Sequence, residues 1–364
     1  MSTKLKIAAA VAAAVLLSAC SSPKHEPMPL VKFTPSMEVT EVWSKGLSSA
    51  EGFLVPAVYD DMVFAAGGKT LTRLNARTGE TEWSVSFNSP ITGGVGSDGY
   101  VTAVGLWDGN LEVVDAEGKV SWEKKLTTEL ASPPVVSHGL VIARTMDTRV
   151  SAFEASSGEL QWTYQRSQPA LTVRLPTRML AHDNFLLVGQ PNGHIVILDI
   201  ASGKPMFEFQ VAQAKGVTEV ERLVDVVGAP AFSDNLVCAA AFQGAVTCVD
   251  STNGQTRWTG PAIDEDNVYA VSVNGEVQAF YRESGEQRWS NKTMLYRGLS
   301  APVVFPGAVA VGDEDGYVHF LSPRTGEEMA RVRLSGPIVT QAQPFSAGAI
   351  FQTSKGDVAY LSNR

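Results

Sequence analysis

The sequence predicts an all-β fold: an eight-bladed β-propeller of four-stranded antiparallel blades. Three observations carry that expectation. One alternating strand pattern recurs eight times at a spacing near forty residues, a glycine followed four residues later by an aromatic recurs in phase with it, and no amphipathic helical stretch competes. The alternating strands read KTLTRLN (69–75), GNLEVVD (109–115), TRVSAFE (148–154), GHIVILD (193–199), GAVTCVD (244–250), GEVQAFY (275–281), GYVHFLS (316–322) and GDVAYLS (356–362). The second signal comprises Gly79/Trp83, Gly118/Trp122, Gly158/Trp162, Gly203/Phe207, Gly254/Trp258 and Gly285/Trp289, with Gly326/Ala330 as a degenerate seventh. The glycine supplies the positive φ of a hairpin turn, and the aromatic lies on the following strand, where it can pack between neighbouring sheets.

Two shorter strands joined by a turn precede each alternating strand, as in SPPVVSHGLVIAR (132–144), GAPAFSDNLVCAA (228–240) and SAPVVFPGAVAVG (300–312). Each unit therefore holds strands A to D with the glycine turn between C and D, which is the content of a propeller blade. The eighth copy ends at Arg364 before any glycine turn or tryptophan, while VTEVW (39–43) is an unassigned strand at the other end. Letting that N-terminal strand serve as strand D of the last blade closes the ring and removes two exposed sheet edges. The propeller is expected to span residues 37–364.

Gly 32 and Pro 19 punctuate short apolar runs, as in all-β chains with frequent turns. The formal charge is −9, and the first nineteen residues carry Lys4 and Lys6 with no acid, so the remainder is more acidic still. Without a dense Lys/Arg cluster to neutralise phosphates, nucleic-acid binding is set aside.

The N-terminus carries an address. Lys4 and Lys6 precede an apolar run from Ile7 to Leu17, and Leu17-Ser18-Ala19-Cys20 follows at once. The run is too short to span a bilayer stably, and small residues ahead of a cysteine form a bacterial lipobox, so residues 1–19 read as a lipoprotein signal peptide. The mature chain then begins at a lipidated Cys20, where several acyl chains hold far more firmly than one. Ser21 and Ser22, in place of an aspartate after the cysteine, point to the periplasmic face of the outer membrane. Residues 20–36, with four prolines and no strand pattern, read as the lipidated cysteine and a flexible tether.

Catalytic signals are weak. Gly94-Val95-Gly96-Ser97-Asp98-Gly99 matches G-x-G-x-x-G, but it spans a strand A and its A–B turn with no helix to follow, so no dinucleotide site is expected. His25, His138, His182, His194 and His319 show no metal-ligand spacing and read as surface histidines. Asp313-Glu314-Asp315-Gly316 and Asp264-Glu265-Asp266 lack the ligand spacing of a calcium loop, and the first is expected to be a B–C turn. Cys238 and Cys248, on successive strands in apolar runs, read as two buried thiols rather than a bridge. No catalytic residue, cofactor or metal is assigned, and the chain is expected not to be an enzyme.

The informative departure is in spacing. Measured between equivalent positions of the C strands, the steps are 40, 39, 45, 51, 31, 41 and 40, so two consecutive steps are long. The extra residues follow Trp162 (TYQRSQPALTVRLPTR) and Phe207 (EFQVAQAKGVTEVERLVDVVGAP), both D-to-A connections, which emerge on the same face as B–C turns. Leu171, Val173 and Leu175 alternate beside Arg174 in the first, and Glu221, Arg222, Leu223, Val224 and Asp225 lie in the second. Apolar anchors with an arginine and acids around them suit a protein-binding surface. The same residues could instead fold back onto the ring.

The lipobox, the G-x-x-x-W repeats, SPPVVSHGLVIART (132–145), TEVERLVDV (218–226) and VGDEDGYVHF (311–320) resemble the BamB family, lipoprotein subunits of the bacterial outer-membrane β-barrel assembly machinery. The resemblance covers essentially the whole chain. Quinoprotein dehydrogenases share the repeat, so the two loops and the lipobox are what single out the family. The resemblance implies a propeller without enzymatic activity that binds the periplasmic POTRA region of BamA and assists insertion of barrel proteins. It also implies contacts through a Leu-x-Leu-Arg loop, here Leu171, Val173 and Arg174, and through an Asp-x-Asp segment, here Asp225 with Val227 replacing the second acid. Two other functions compete. A periplasmic quinoprotein dehydrogenase using pyrroloquinoline quinone would use the same ring, but such enzymes are usually longer and many carry adjacent cysteines. A propeller that itself holds unfolded barrel precursors would need free sheet edges, and a closed ring leaves few.

Overall fold

The structure is a computed structural model that describes residues 25–49, 54–167, 171–172, 177–214, 217–218, 221–233, 236–242, 245–250, 256–258, 262–272 and 274–363. The described residues form thirty-two strands in eight four-stranded antiparallel sheets, with no helix among them. The blades run from Ala57 to Ser86, Ile91 to Lys125, Val135 to Tyr164, Leu180 to Gln210, Val226 to Trp258, Ala262 to Asn291 and Val303 to Arg333. Blade 8 takes strands A to C from Gln343 to Asn363 and strand D from Val39–Lys45, as expected. All eight repeated patterns are C strands. The G-x-G-x-x-G stretch lies on strand Ile91–Ser97 and the turn after it, and the next element is again a strand.

Each blade is covered on both faces by its neighbours, so the B strands are nearly continuous buried runs rather than half-exposed ones. Leu140–Arg144, Ala308–Gly312 and Gly348–Gln352 are buried along their whole length, whereas strand D of blade 1, Thr81–Ser86, alternates exposed and half-buried residues. The cores lie between blades. Phe305 and Phe320 of blade 7, for example, cluster with Phe351 and Leu361 of blade 8.

The aromatic repeat holds these interfaces in register. The indole Nε1 of Trp83 donates to the carbonyl of Ala116 in the next blade at 2.9 Å, Trp122 to Ala155 at 2.8 Å, Trp162 to Ile200 at 2.8 Å and Trp289 to Pro323 at 2.9 Å. The ring of each indole lies against the next blade's turn glycine. At Gly118, with φ +81, a Cβ would stand 2.7 Å from Trp83, so this position needs glycine for both its backbone and its lack of a side chain. Trp43 makes the same contact across the closure, donating to Ala76 of blade 1 at 2.9 Å and covering Gly79. Ring closure thus combines an antiparallel ladder, Val39 opposite Asn363 to Lys45 opposite Val358, with the same tryptophan contact used elsewhere.

Two sequence expectations are corrected. Cys238 and Cys248 form a disulfide; they stand directly opposite on adjacent strands with Cα atoms 4.0 Å apart, so the pairing register brings the two sulfurs together without any loop having to close. His319 is not a surface histidine but is 0% exposed, because it points from a C strand into the space between Asp313 and Glu328. His25 and His138 are exposed.

A charge relay forms around His319. Its Nε2 lies 3.1 Å from Asp313 Oδ2 and its Nδ1 2.6 Å from Glu328 Oε1. Arg297 donates through Nε to Asp313 at 2.8 Å and through Nη2 to Asp315 at 2.7 Å, and Arg331 donates through Nε to Glu328 at 2.8 Å. The second oxygen of Asp313 accepts from the backbone N–H groups of Asp315 and Tyr317, which makes residues 313–316 the expected B–C turn. Residues 25–36 carry no strand, as a proline-rich segment should, yet they are bound to blade 7 beside this relay. Met28 N donates to Leu295 O at 3.0 Å, and Ser36 N and Met37 N donate to Met329 O at 3.0 and 3.3 Å.

Two predictions follow from these contacts. Trp43→Ala should lower the unfolding free energy in urea by about 3–5 kcal/mol. Trp43→Phe should cost about 1–3 kcal/mol, since it leaves the Ala76 carbonyl without its buried donor; two small and equal losses would detach closure from this contact. The relay sets a pH window. Despite burial, its two carboxylate partners raise the His319 pKa above the usual 6.5, while hydrogen bonds from His319 depress Asp313 below 3.8 and Glu328 below 4.5. The histidine contribution is complete below 6.5 and lost as pH rises through its raised value; the carboxylate contributions are complete above 4.5 and lost on acidification. The Tm difference between wild type and His319→Gln should therefore be greatest between pH 4.5 and 6.5 and shrink on either side.

Candidate functional site

The two long connections start from buried roots. In the second, the N–H groups of Val211 and Ala212 both donate to Gly193 O, at 2.7 and 3.1 Å, and Val211, Ala212, Val224 and Val226 join the core between blades 4 and 5. Arg166 at the start of the first pairs with Glu208 at 2.5 Å, tying it to strand D of blade 4. The first connection meets the strand into which the second one leads: Thr177 forms a parallel bridge with Gly228 of strand Val226–Ser233, and Arg178 N donates to Gly228 O at 2.9 Å. The described roots pack onto the ring, at Thr177 in the first loop and at Val211, Ala212 and Val224 in the second, while Leu171 and Val217 are exposed.

The tip of the second loop is a capped turn. Glu221 Oε2 accepts from the N–H groups of Val217 and Thr218 at 2.8 and 3.0 Å, and Thr218 Oγ1 accepts from Glu221 N at 3.3 Å. This reciprocal pattern satisfies free backbone donors, and those donors hold the Glu221 carboxyl below its usual range. Val217 at its apex is 88% exposed, and Leu171 in the first loop is 43% exposed.

The expected contact residues have different surroundings. Leu171 is exposed; Arg222 is exposed and donates through Nη2 to Val217 O at 3.5 Å; Leu223 is half-buried. Asp225 is only 5% exposed. Its backbone carbonyl accepts from Phe242 N at 2.8 Å, and its charge acts on Arg144, whose guanidinium burial pushes down to a pKa of about 10. Arg144 in turn donates to Thr177 Oγ1 at 3.4 Å, so Asp225 bears on the root of the other loop from within. Val173, Arg174 and Cys20 lie outside the described residues.

Beside the loops opens the central channel, a cavity of about 640 Å³ whose walls include Thr172, Arg178 and Asp225, and whose lining includes Trp107 and Met146 from B–C turns of blades 2 and 3. Trp107 is 65% exposed and adds an aromatic to the loop-bearing face. Sequence reasoning passed over it, although it is the one of seven tryptophans that falls out of phase with the glycine-aromatic repeat. Arg144 was also legible in principle, as a cation ending an otherwise apolar B strand, LVIAR.

A family profile described as outer membrane protein assembly factor BamB matches residues 67–291 and 273–363. The assembly factor BamB of Bordetella pertussis is 35% identical over 361 residues, covering 95% of this chain and 94% of that one. The chain belongs to the BamB family. The crystal structure of BamB from Moraxella catarrhalis superposes with a TM-score of 0.82 at 29% identity, covering 89% of this chain and 100% of that one. A quinohemoprotein alcohol dehydrogenase from Comamonas testosteroni superposes with a TM-score of 0.67 at 15% identity, over 89% of this chain and 76% of that one, a likeness of fold alone.

Burial separates the roles of the loop residues. Asp225→Ala should destabilise the protein by about 3–5 kcal/mol, because it leaves the Arg144 charge buried without its counter-charge. Arg222→Ala should change stability by less than about 0.5 kcal/mol. Paired urea titrations of the two variants check this, and equal small effects would return Asp225 to the surface set.

Proposed function

We propose that this BamB-family ring is a non-enzymatic scaffold of the outer-membrane protein assembly complex. It is held at the periplasmic face of the outer membrane by acyl chains on Cys20, and it presents two adjacent loops to the POTRA region of BamA. The observation that carries this reading is the bridge from the first long connection, at Thr177, to Gly228 on the strand that follows the second, with Leu171 and Val217 of the two connections exposed and Trp107 on the same face. Exposed apolar side chains around a polar rim are the anchors a protein partner fills, and the rigid ring spares the loops much of the ordering cost of binding. Confinement of both partners to one membrane raises their effective concentration. Asp225, buried against Arg144, supports the loops from below in this reading, while Leu171, Val173, Arg174, Arg222 and Leu223 supply the contact. Unfolded barrel clients would reach this subunit through the complex.

The test is co-purification from membranes. Leu171→Glu combined with Arg174→Glu should reduce recovery of BamA at least tenfold while Tm stays within a few degrees of wild type. Undiminished recovery from a folded double variant would remove these loops from the mechanism.

A further inference from the structure

We propose that residues 25–37 are a strap that fixes which rim of the ring faces the bilayer, namely the rim at the connection between blades 6 and 7 on the loop-bearing face. The strap crosses the outer edge of blade 7. At one end Ser36 and Met37 bond Met329, at the start of strand D (Glu328–Arg333), and Met37 packs into the core between blades 7 and 8. In the middle Arg331 Nη2 donates to Val31 O at 3.1 Å while its guanidinium lies 5.0 Å from the centre of the Phe33 ring. At the other end Met28 N bonds Leu295 O, Arg297 Nη1 donates to Met28 O at 3.0 Å, and His25 stacks on Tyr296 with ring centres 4.4 Å apart. Leu295, Tyr296 and Arg297 belong to the D-to-A connection between blades 6 and 7, so the strap ends on the face that carries the two long loops.

The grip is built into the ring rather than into the strap. Arg297 and Arg331 each use part of the guanidinium fork on a carboxylate of the His319 relay and extend one remaining N–H to a strap carbonyl. Two cations oriented by acids of the ring, bonded to backbone oxygens, hold a segment whose own side chains are mostly exposed. The inference rests on the reading that Cys20 carries the acyl chains. Four residues separate Cys20 from His25, and the five extended steps between them span at most about 18 Å. An anchor that short keeps the 292–298 connection near the headgroups. The two partner loops, set off by three and two blades around the ring, then open onto the same side at a lateral distance from the attachment point.

The experiment uses the full lipidated protein in vesicles of outer-membrane lipids doped with spin-labelled lipid, with a fluorophore on a single added cysteine. Lys292→Cys and Lys125→Cys occupy equivalent ends of strand D on opposite sides of the ring and are both exposed. Quenching should be severalfold stronger at position 292 than at 125, and a long Gly/Ser linker inserted between Ser22 and Pro23 should erase the difference without touching the ring. Amide exchange should show Met28, Ser36 and Met37 protected in both proteins. Equal quenching at the two positions in the wild type, or free-peptide exchange at those amides, overturns the strap. Failure of the wild type to float with vesicles, with the amides still protected, instead overturns the lipid-anchor reading.

Discussion

The ring depends on one repeated contact: an indole N–H that donates to the backbone of the next blade while its ring fills the space left by a turn glycine. A tryptophan at the end of a blade can make this contact only if the neighbour presents a carbonyl and a glycine at matching heights, so each copy fixes both the rotation and the rise between blades. The exceptions have structural reasons. Phe207 keeps the ring but has no N–H to donate, and it is exposed where Trp162 is buried. Ala330 stands where blade 7 would carry its tryptophan, but strand D of blade 8 is Val39–Lys45, so no C–D hairpin turn is there to receive one. The volume is taken instead by Met37 and Val39, which pack into the same core as Ala330.

The ring is irregular at two connections. The six other D-to-A connections are shorter, while the two long ones add a capped tip and a bridge from Thr177 to Gly228 that nothing in the propeller requires. Their support reaches inward: Asp225 and Arg144 place charge beneath the loops at a position where unpaired burial would be costly. The loop-bearing face is therefore coupled to the channel wall, and the side chains that support it from within, Asp225 and Arg144, are not the exposed ones.

Much of the architecture was legible because its physics is local and repeated. A glycine with φ > 0, an aromatic four residues on and a strand of period two can each be read without knowing what they touch. The closing strand was legible because one copy ran short at one end and one strand was unclaimed at the other. What the sequence hid depends on register across strands. Cys238 and Cys248 face each other only because their strands pair with those two residues opposite, and His319 is buried because Glu328 of the next strand and Asp313 of the turn close over it. Asp225 looks like a surface acid in a run containing Glu221 and Arg222, and only its tertiary neighbour Arg144 makes it an interior one.

The closing ladder has a consequence for the order of events in the cell. Val39 lies among the first residues of the ring to be made and Asn363 among the last, yet they pair. No intermediate length of chain can satisfy the edge of Val39–Lys45 or give Trp43 its place on blade 1 in a finished ring. A chain emerging N-terminus first must therefore carry an open sheet edge until its final strand is delivered, and that edge is the point at which an unfinished ring is exposed to pairing with another chain.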